Sequence, residues 1–208
     1  MEYTTVKEEV EADFVERRSR FIGRIAPVTT EEEAMAFIAR IRQQCWDATH
    51  NVYAYLLREG QARRYSDDGE PQGTAGTPVL EVLEREGLTD AAIVVTRYFG
   101  GVLLGAGGLI RAYSHAAKLA VDAASRRRMV LCKQLTVSAD YSFYGPICSL
   151  LPRFDALTED AVFAEDVTLL IHVDADQVSL LRAELVELSN GRAKIHESGE
   201  NYKELNKK

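Results

Sequence analysis

At 208 residues, with 46% hydrophobic and 27% charged side chains, the chain is long enough for one large domain or two small ones, and its proportions exclude a disordered protein. The formal net charge of −7 excludes a protein that wraps nucleic acid over its whole surface, while leaving room for a local basic face. No apolar run reaches the ~20 residues of a bilayer-spanning helix, and the N-terminal residues show no basic stretch leading into an apolar one, so a cytoplasmic protein without membrane partners is expected.

Residues 4–15 and 19–28 mix β-branched and charged residues and predict two strands, with the basic run Arg17-Arg18-Ser19-Arg20 where they meet. Thr29 or Thr30 can cap a helix whose first turn, Glu31-Glu32-Glu33, suits the positive end of its dipole. Ala34, Phe37, Ile38 and Ile41 supply its apolar face. Residues 52–57 predict a strand that Glu59-Gly60 turns back towards 61–65. Thr77-Pro78 opens a helix ended by Gly87, since proline costs nothing at the first helical position. Residues 91–96 predict a buried strand, followed by a glycine-rich segment and a long helix from about Leu109 to Ser125.

Arg126-Arg127-Arg128 interrupts this pattern, and the boundary is placed there, giving domains 1–128 and 129–208. The second part reads strand 129–140, helix 144–151, strand 154–164, strand 167–173, helix 175–189 and strand 192–202. This βαββαβ order predicts a ferredoxin-like domain, with a frayed tail over 203–208. Residues 1–128 carry 17 Lys and Arg against 19 Asp and Glu, and residues 129–208 carry 8 against 13. Any basic patch is therefore expected in the first domain. Cys45, Cys132 and Cys148 are odd in number and widely spaced, which predicts free thiols and no structural zinc.

Two segments carry candidate chemistry. In the first, Tyr98-Phe99 leads into Gly100, Gly101, Gly105, Gly107 and Gly108, five glycines between a strand and a helix. They permit either tight helix–strand packing or an anion at the helix N-terminus. Neither Gly-x-Gly-x-x-Gly nor a P-loop is present. The following helix places Arg111, His115, Lys118 and Asp122 on one face, and Arg97 precedes the loop. Arg111 sits near the N-terminus, where a cation opposes the dipole, which is a mild sign of a ligand.

The second segment is Ser66-Asp67-Asp68-Gly69-Glu70-Pro71-Gln72-Gly73. Its three carboxylates could hold Mg²⁺ or include a general base. They could equally make turns by accepting backbone N–H groups, or pair with Arg97 or Arg111 and hold the two glycine-bearing loops together. His50 reads as a structural histidine. No Gly-x-Ser-x-Gly elbow, other triad arrangement or His-Glu-x-x-His pattern occurs, so no catalytic residue, metal or cofactor is assigned.

Taken together, several blocks resemble the Impact family, whose bacterial members are the YigZ-type proteins. They are Ser19-Arg20-Phe21-Ile22-Gly23, His50-Asn51-Val52-Tyr53-Ala54-Tyr55, the run from Ser66 to Pro78, and the run from Val94 to Tyr113. The family often has cysteine two residues after the histidine, where Val52 stands here. The resemblance covers residues 1–125 most strongly. It implies an α+β protein with an N-terminal domain of the β-rich ribosomal-protein type, two helices on one face of a mixed four-stranded sheet, like domain IV of elongation factor G. It also implies a C-terminal ferredoxin-like domain like domain V. Eukaryotic relatives regulate translation through a protein partner, using an additional domain.

The function expected from residues and resemblance is non-enzymatic binding of RNA or the ribosome, linked to translation regulation and without DNA specificity. Arg97, Arg111 and Lys118, with His115 beside them and Arg17, Arg18 and Arg20 extending the track, would meet phosphates. The alternatives are a metal-assisted hydrolase acting at Asp67–Glu70 and a module for a protein partner of the translation machinery.

Overall fold

The computed structural model describes residues 1–205, which divide into two compact units: Thr4–Arg127, and Arg128 onward together with Met1–Tyr3. The larger unit is built on a five-stranded sheet in the order β2 (Val10–Glu16), β3 (Ser19–Pro27), β6 (Ala91–Tyr98), β4 (His50–Leu56), β5 (Arg63–Ser66). Every pairing in it is antiparallel. The central strand β6 is buried from Ala91 to Arg97 and apolar from Ala91 to Val95, because both of its faces are covered. Ile93 and Val95 pack with α2 (Gly76–Arg85) and α3 (Ala106–Ala123), whereas Ala92 and Val94 pack with α1 (Glu31–Gln44). The helices thus lie on both faces of an all-antiparallel, five-stranded sheet, not on one face of a mixed four-stranded one. The α+β class stands.

Local sequence explains the helix ends. Thr30 caps α1 by accepting from the Glu33 N–H at 3.2 Å, and the Glu33 carboxylate accepts from Thr29 N–H at 2.6 Å. The Thr29 N–H and hydroxyl, both donating to it, hold the Glu33 carboxyl below its ordinary pKa. The helix α3 begins at Ala106, earlier than the Leu109 expected, because Gly107 and Gly108 are absorbed into its first turn.

The smaller unit has β7 (Arg126–Ala139) between β9 (Val167–Asp174) and β10 (Lys194–Glu204), with β8 (Leu157–Phe163) outside β9. Its helices α4 (Tyr141–Leu150) and α5 (Val178–Leu188) complete the ferredoxin-like order and share a core with Leu135, Val137, Leu169 and Ile171. The stretch expected as one strand over 4–15 is in fact β1 (Glu2–Val6) and β2, separated by the charged Lys7-Glu8-Glu9. Residues Met1–Tyr3 join the β7 sheet, with Leu131 N–H donating to Met1 O at 2.9 Å. Arg126-Arg127-Arg128 opens β7, and the chain passes from one compact unit to the other between Arg127 and Arg128. The charges of this run are matched locally, Arg126 by Glu86 and Arg128 by Glu2. Lys203 and Glu204 continue β10 and Leu205 is buried; the rest of the expected frayed tail, 206–208, lies outside the described residues.

On β8 the ladder to β9 is interrupted between Thr158 and Asp160. The extra residue, Glu159, sends its carboxylate to His172 Nε2 at 2.5 Å and to Lys203 Nζ at 3.1 Å. All three cysteines are free.

In the larger unit β3 and α3 meet without an intervening side chain at Gly23, where an added Cβ would lie 2.3 Å from the Ala116 carbonyl oxygen. Ala116 and Ala120 on the facing helix are fully buried. Gly23→Ala should therefore force the helix off the sheet and cost about 1–3 kcal/mol, the usual range for overpacking. Urea denaturation checks it, and an unchanged midpoint would mean that α3 is free to move outward.

Candidate nucleic-acid interface

The acidic loop after β5 is held by its own backbone. Asp67 Oδ1 accepts from the N–H groups of Ala75 (3.0 Å) and Gly76 (2.8 Å), and Oδ2 accepts from Gly73 N–H (2.9 Å). It supplies acceptors at the start of α2, where Ala75 offers no side chain to cap. Asp68, in a left-handed conformation at φ 45°, accepts from Asn51 N–H and from Arg42 Nη2, each at 2.6 Å. Its carbonyl lies 2.8 Å from His50 Nδ1. Since a carbonyl only accepts, Nδ1 carries the proton and Nε2 is left as the other face of the ring. The backbone-bracing role holds for Asp67.

Glu70 points the other way, into the core. Its Oε1 accepts from Arg97 Nη1 at 2.6 Å and from the Tyr113 hydroxyl at 2.7 Å, with His50 Nε2 at 3.8 Å. The Glu70 and Arg97 side chains keep only 4% and 6% of their surface exposed. Arg97 lies over the rings of Phe21 (5.4 Å) and Phe99 (5.3 Å) and donates from Nη2 to Ser19 Oγ at 3.4 Å. Ser19 Oγ also accepts from Gly100 N–H at 3.2 Å, tying the glycine loop to β3. Burial, and then the charge of Glu70, push the Tyr113 hydroxyl far above its ordinary pKa, so it remains a donor.

This corrects the placement of Arg97. It is a buried partner of Glu70, with no phosphate-facing edge, because β6 is central and covered on both faces. Two further cations of the expected track are engaged on the surface: Lys118 with Glu86 (3.3 Å) and Asp122, and Arg20 with Asp13 (2.8 Å). Their partners raise the pKa of both, chiefly through the hydrogen bonds they donate to Asp122 and Asp13. His115 is exposed and sets its ring edge-on to Phe14 at 4.6 Å.

Arg111 is different. It is exposed, makes no ion pair among the described residues, and lines a hollow of about 250 Å³ with Arg17, Leu104 and His115. Arg17 and Arg18 form the two-residue turn between Glu16 and Ser19. Both have positive φ, 44° and 68°, the pattern of a type I′ hairpin turn. Arginine at both positions runs against the Asn-Gly preference of such turns, a feature that sequence spacing alone did not reveal. The turn packs on the glycine loop, where a Cβ at Gly100 would lie 2.0 Å from Arg18 O and Arg17 Nη1 is 3.5 Å from Leu103 O.

Beside the hollow, and sharing Leu104 with it, is a cleft of about 370 Å³ between the acidic loop and the glycine loop. Pro71 and Gly105 stand among its lining, so the two glycine-bearing stretches do fold together. Gly105 starts α3 at φ 71° without a side-chain cap or an acidic first turn, leaving the first amide N–H groups without a side-chain acceptor. Asp67, Asp68 and Glu70 face three different sets of donors. Among the described residues no three His, Cys, Asp or Glu groups converge as metal ligands would.

Fold and site together define a two-domain α+β protein whose larger unit is organised round a buried Glu–Arg–Tyr cluster beneath a glycine-rich loop. The Impact N-terminal domain matches residues 17–121, and the domain of unknown function DUF1949 matches residues 137–192. The IMPACT family member YvyE of Bacillus subtilis is 40% identical over 97% of this chain and 94% of its own length. YigZ of Escherichia coli is 32% identical over 92% of each chain. Protein IMPACT of Bos taurus is 34% identical over 43% of this chain and 30% of its own length. A crystal structure described as that of a hypothetical protein superposes with a TM-score of 0.63 at 30% identity, covering 93% of this chain and 96% of that one. The chain belongs to the Impact family.

Removing one partner of the buried pair should be far more damaging than removing both. Glu70→Ala strands the Arg97 charge and is expected to cost about 3–5 kcal/mol, whereas Glu70→Met with Arg97→Met should recover most of that loss. A thermodynamic cycle by chemical denaturation checks this, and additive losses would contradict the pairing.

Proposed function

We propose that the protein binds RNA, on or near the ribosome, as part of translation regulation, and that it does so without catalysis. The observation that carries this reading is a set of unneutralised cations in a chain of net charge −7. Arg18 and Arg111 make no ion pair among the described residues, and Arg17 reaches only Glu16, at 4.0 Å. The turn that bears Arg17 and Arg18 packs against the glycine loop, and Arg17 and Arg111 share the hollow beside it. The uncapped first turn of α3 adds backbone donors and a positive dipole end, both suited to phosphate. Membership of a family that includes Protein IMPACT supports the link to translation. The matched region spans 30% of that relative's length, so no protein partner is carried over from it.

The hydrolase alternative finds less support, since each carboxylate of the acidic loop is committed to backbone donors, arginine or tyrosine. Lys118 and Arg20 sit in exposed pairs, which are weak and readily exchanged for phosphate, so they belong at the margin of the surface.

Two arginines in left-handed conformation strain the hairpin by roughly 1–2 kcal/mol each. Replacing them with the favoured pair, Arg17→Asn with Arg18→Gly, should stabilise the protein yet weaken RNA binding. Arg111→Glu should weaken binding for all sequences alike. Losing each phosphate contact should flatten the log–log salt dependence by close to one unit. Anisotropy titrations and ribosome sedimentation at graded salt measure both effects, and an Arg17/Arg18/Arg111 variant with undiminished binding would rule the proposal out.

A further inference from the structure

We infer that the cleft between the acidic and glycine-rich loops is a slot for one unstacked base of single-stranded RNA, favouring bases that carry an amino group. This rests on the RNA-binding reading above and names what the same surface selects. The cleft's volume, about 370 Å³, exceeds what a single flat ring system needs. One wall is Phe99, whose ring lies over the Arg97 guanidinium and still keeps 44% of its surface exposed. A base set on the open part of that ring would extend an existing stack of arginine on aromatic. Leu103, 80% exposed, and the partly buried Leu104 flank the slot with apolar surface.

The polar lining is one-sided. Both donors that reach Glu70, Arg97 and Tyr113, bond to Oε1, and Oε2 accepts from neither. His50 lines the cleft with its Nδ1 proton committed to the Asp68 carbonyl, and in that neutral tautomer Nε2 is an acceptor. Arg97 donates from Nη1 to Glu70 and from Nη2 to Ser19, and its Nε is fully buried without a partner and has no surface in the cleft. At Glu70 and His50 the capacity turned to the cleft is therefore acceptor capacity. Adenine, cytosine and guanine present an amino group to such a floor. Uracil brings two carbonyl oxygens and one N–H, and its oxygens would face the carboxylate and the imidazole nitrogen. Outside the cleft, Arg17 and Arg111 stand at the neighbouring hollow, where the nucleotide's own phosphates would lie. An apolar peptide would fill the walls equally well, but it gives those unmatched cations no partner.

The experiment compares short oligoribonucleotides of equal length, single-stranded A, C or U and an RNA duplex, by anisotropy with the full chain. A fluorescent aminopurine placed within a single strand reports on stacking. Single-stranded A and C should bind more tightly than U and than duplex, and the aminopurine emission should change on binding. Phe99→Leu and Leu103→Ser, both at exposed positions, should lower single-strand affinity by about tenfold, the order expected for one base on an aromatic face. Duplex affinity and the salt slope should stay as they are. Thermal midpoints confirm that the variants fold. Equal losses for duplex and single strand, no preference against U, or a silent aminopurine would overturn the base slot while leaving RNA binding in place. A thermal shift with an apolar peptide amide but none with nucleoside monophosphates would assign the cleft to protein instead. Absence of any RNA binding by the unmodified chain would reject the underlying reading itself.

Discussion

A carboxylate and a guanidinium, both almost wholly buried at the base of the cleft, hold the loops of the larger unit in register. Glu70 comes from the acidic loop and Arg97 from the central strand, and Tyr113 reaches the same oxygen from α3. Three segments far apart in sequence are therefore fixed at one atom. In so little solvent the pair stands against a large desolvation cost, which is offset only because hydrogen bonds and two aromatic faces surround the charge. Such a pair adds little to net stability when compared with apolar residues. It does dictate which loop lies against which, and the cleft exists because that choice is made.

Around this fixed point the surface charges sort into two kinds. Arg20, Arg42 and Lys118 each have a carboxylate within hydrogen-bond reach. Arg18 and Arg111 have none among the described residues, and they sit close to the glycine loop and the start of α3. The hairpin turn shows the same economy of purpose. A two-residue loop there would fold more easily with Asn-Gly, yet arginine occupies both left-handed positions. Residues placed against local preference cluster where the chain meets a ligand, and here the clustering is spatial as well as chemical.

Much of the architecture could be read from periodicity and punctuation. The Thr30 cap, the acidic first turn of α1, the apolar run Ala91–Val95 of β6 and the βαββαβ order of the smaller unit follow from local rules. What sequence did not reveal depended on contacts distant along the chain. Arg97 reads as a cation at a strand end, and only the pairing of β6 with β3 and β4 shows that the position is interior. The split of the first strand into β1 and β2 required knowing that Met1–Tyr3 belong to the β7 sheet. Similarly, that Arg126-Arg127-Arg128 already belongs to β7 was hidden because the acids that neutralise Arg126 and Arg128, Glu86 and Glu2, lie far away in sequence. The meeting of the acidic and glycine-rich loops was visible as a possibility in their composition, but not which carboxylate would make it. Asp67 and Glu70 differ in role only through where their backbones point.

The irregularity at Glu159 bears on what the smaller unit avoids. Strand β8 is a sheet edge with Leu157, Val162 and Phe163 exposed, a template on which a second extended chain would ordinarily grow. One surplus residue in mid-strand throws the outward N–H and C=O groups out of step, and Asp160 next to it adds a charge. An incoming strand could match one half of that edge but not continue along the other. The same kink turns Glu159 onto His172 and Lys203, so straightening the edge would first have to break those contacts. Solubility at this margin is thus secured by a defect in the ladder, and a deletion that restored perfect pairing would be expected to make the protein self-associate.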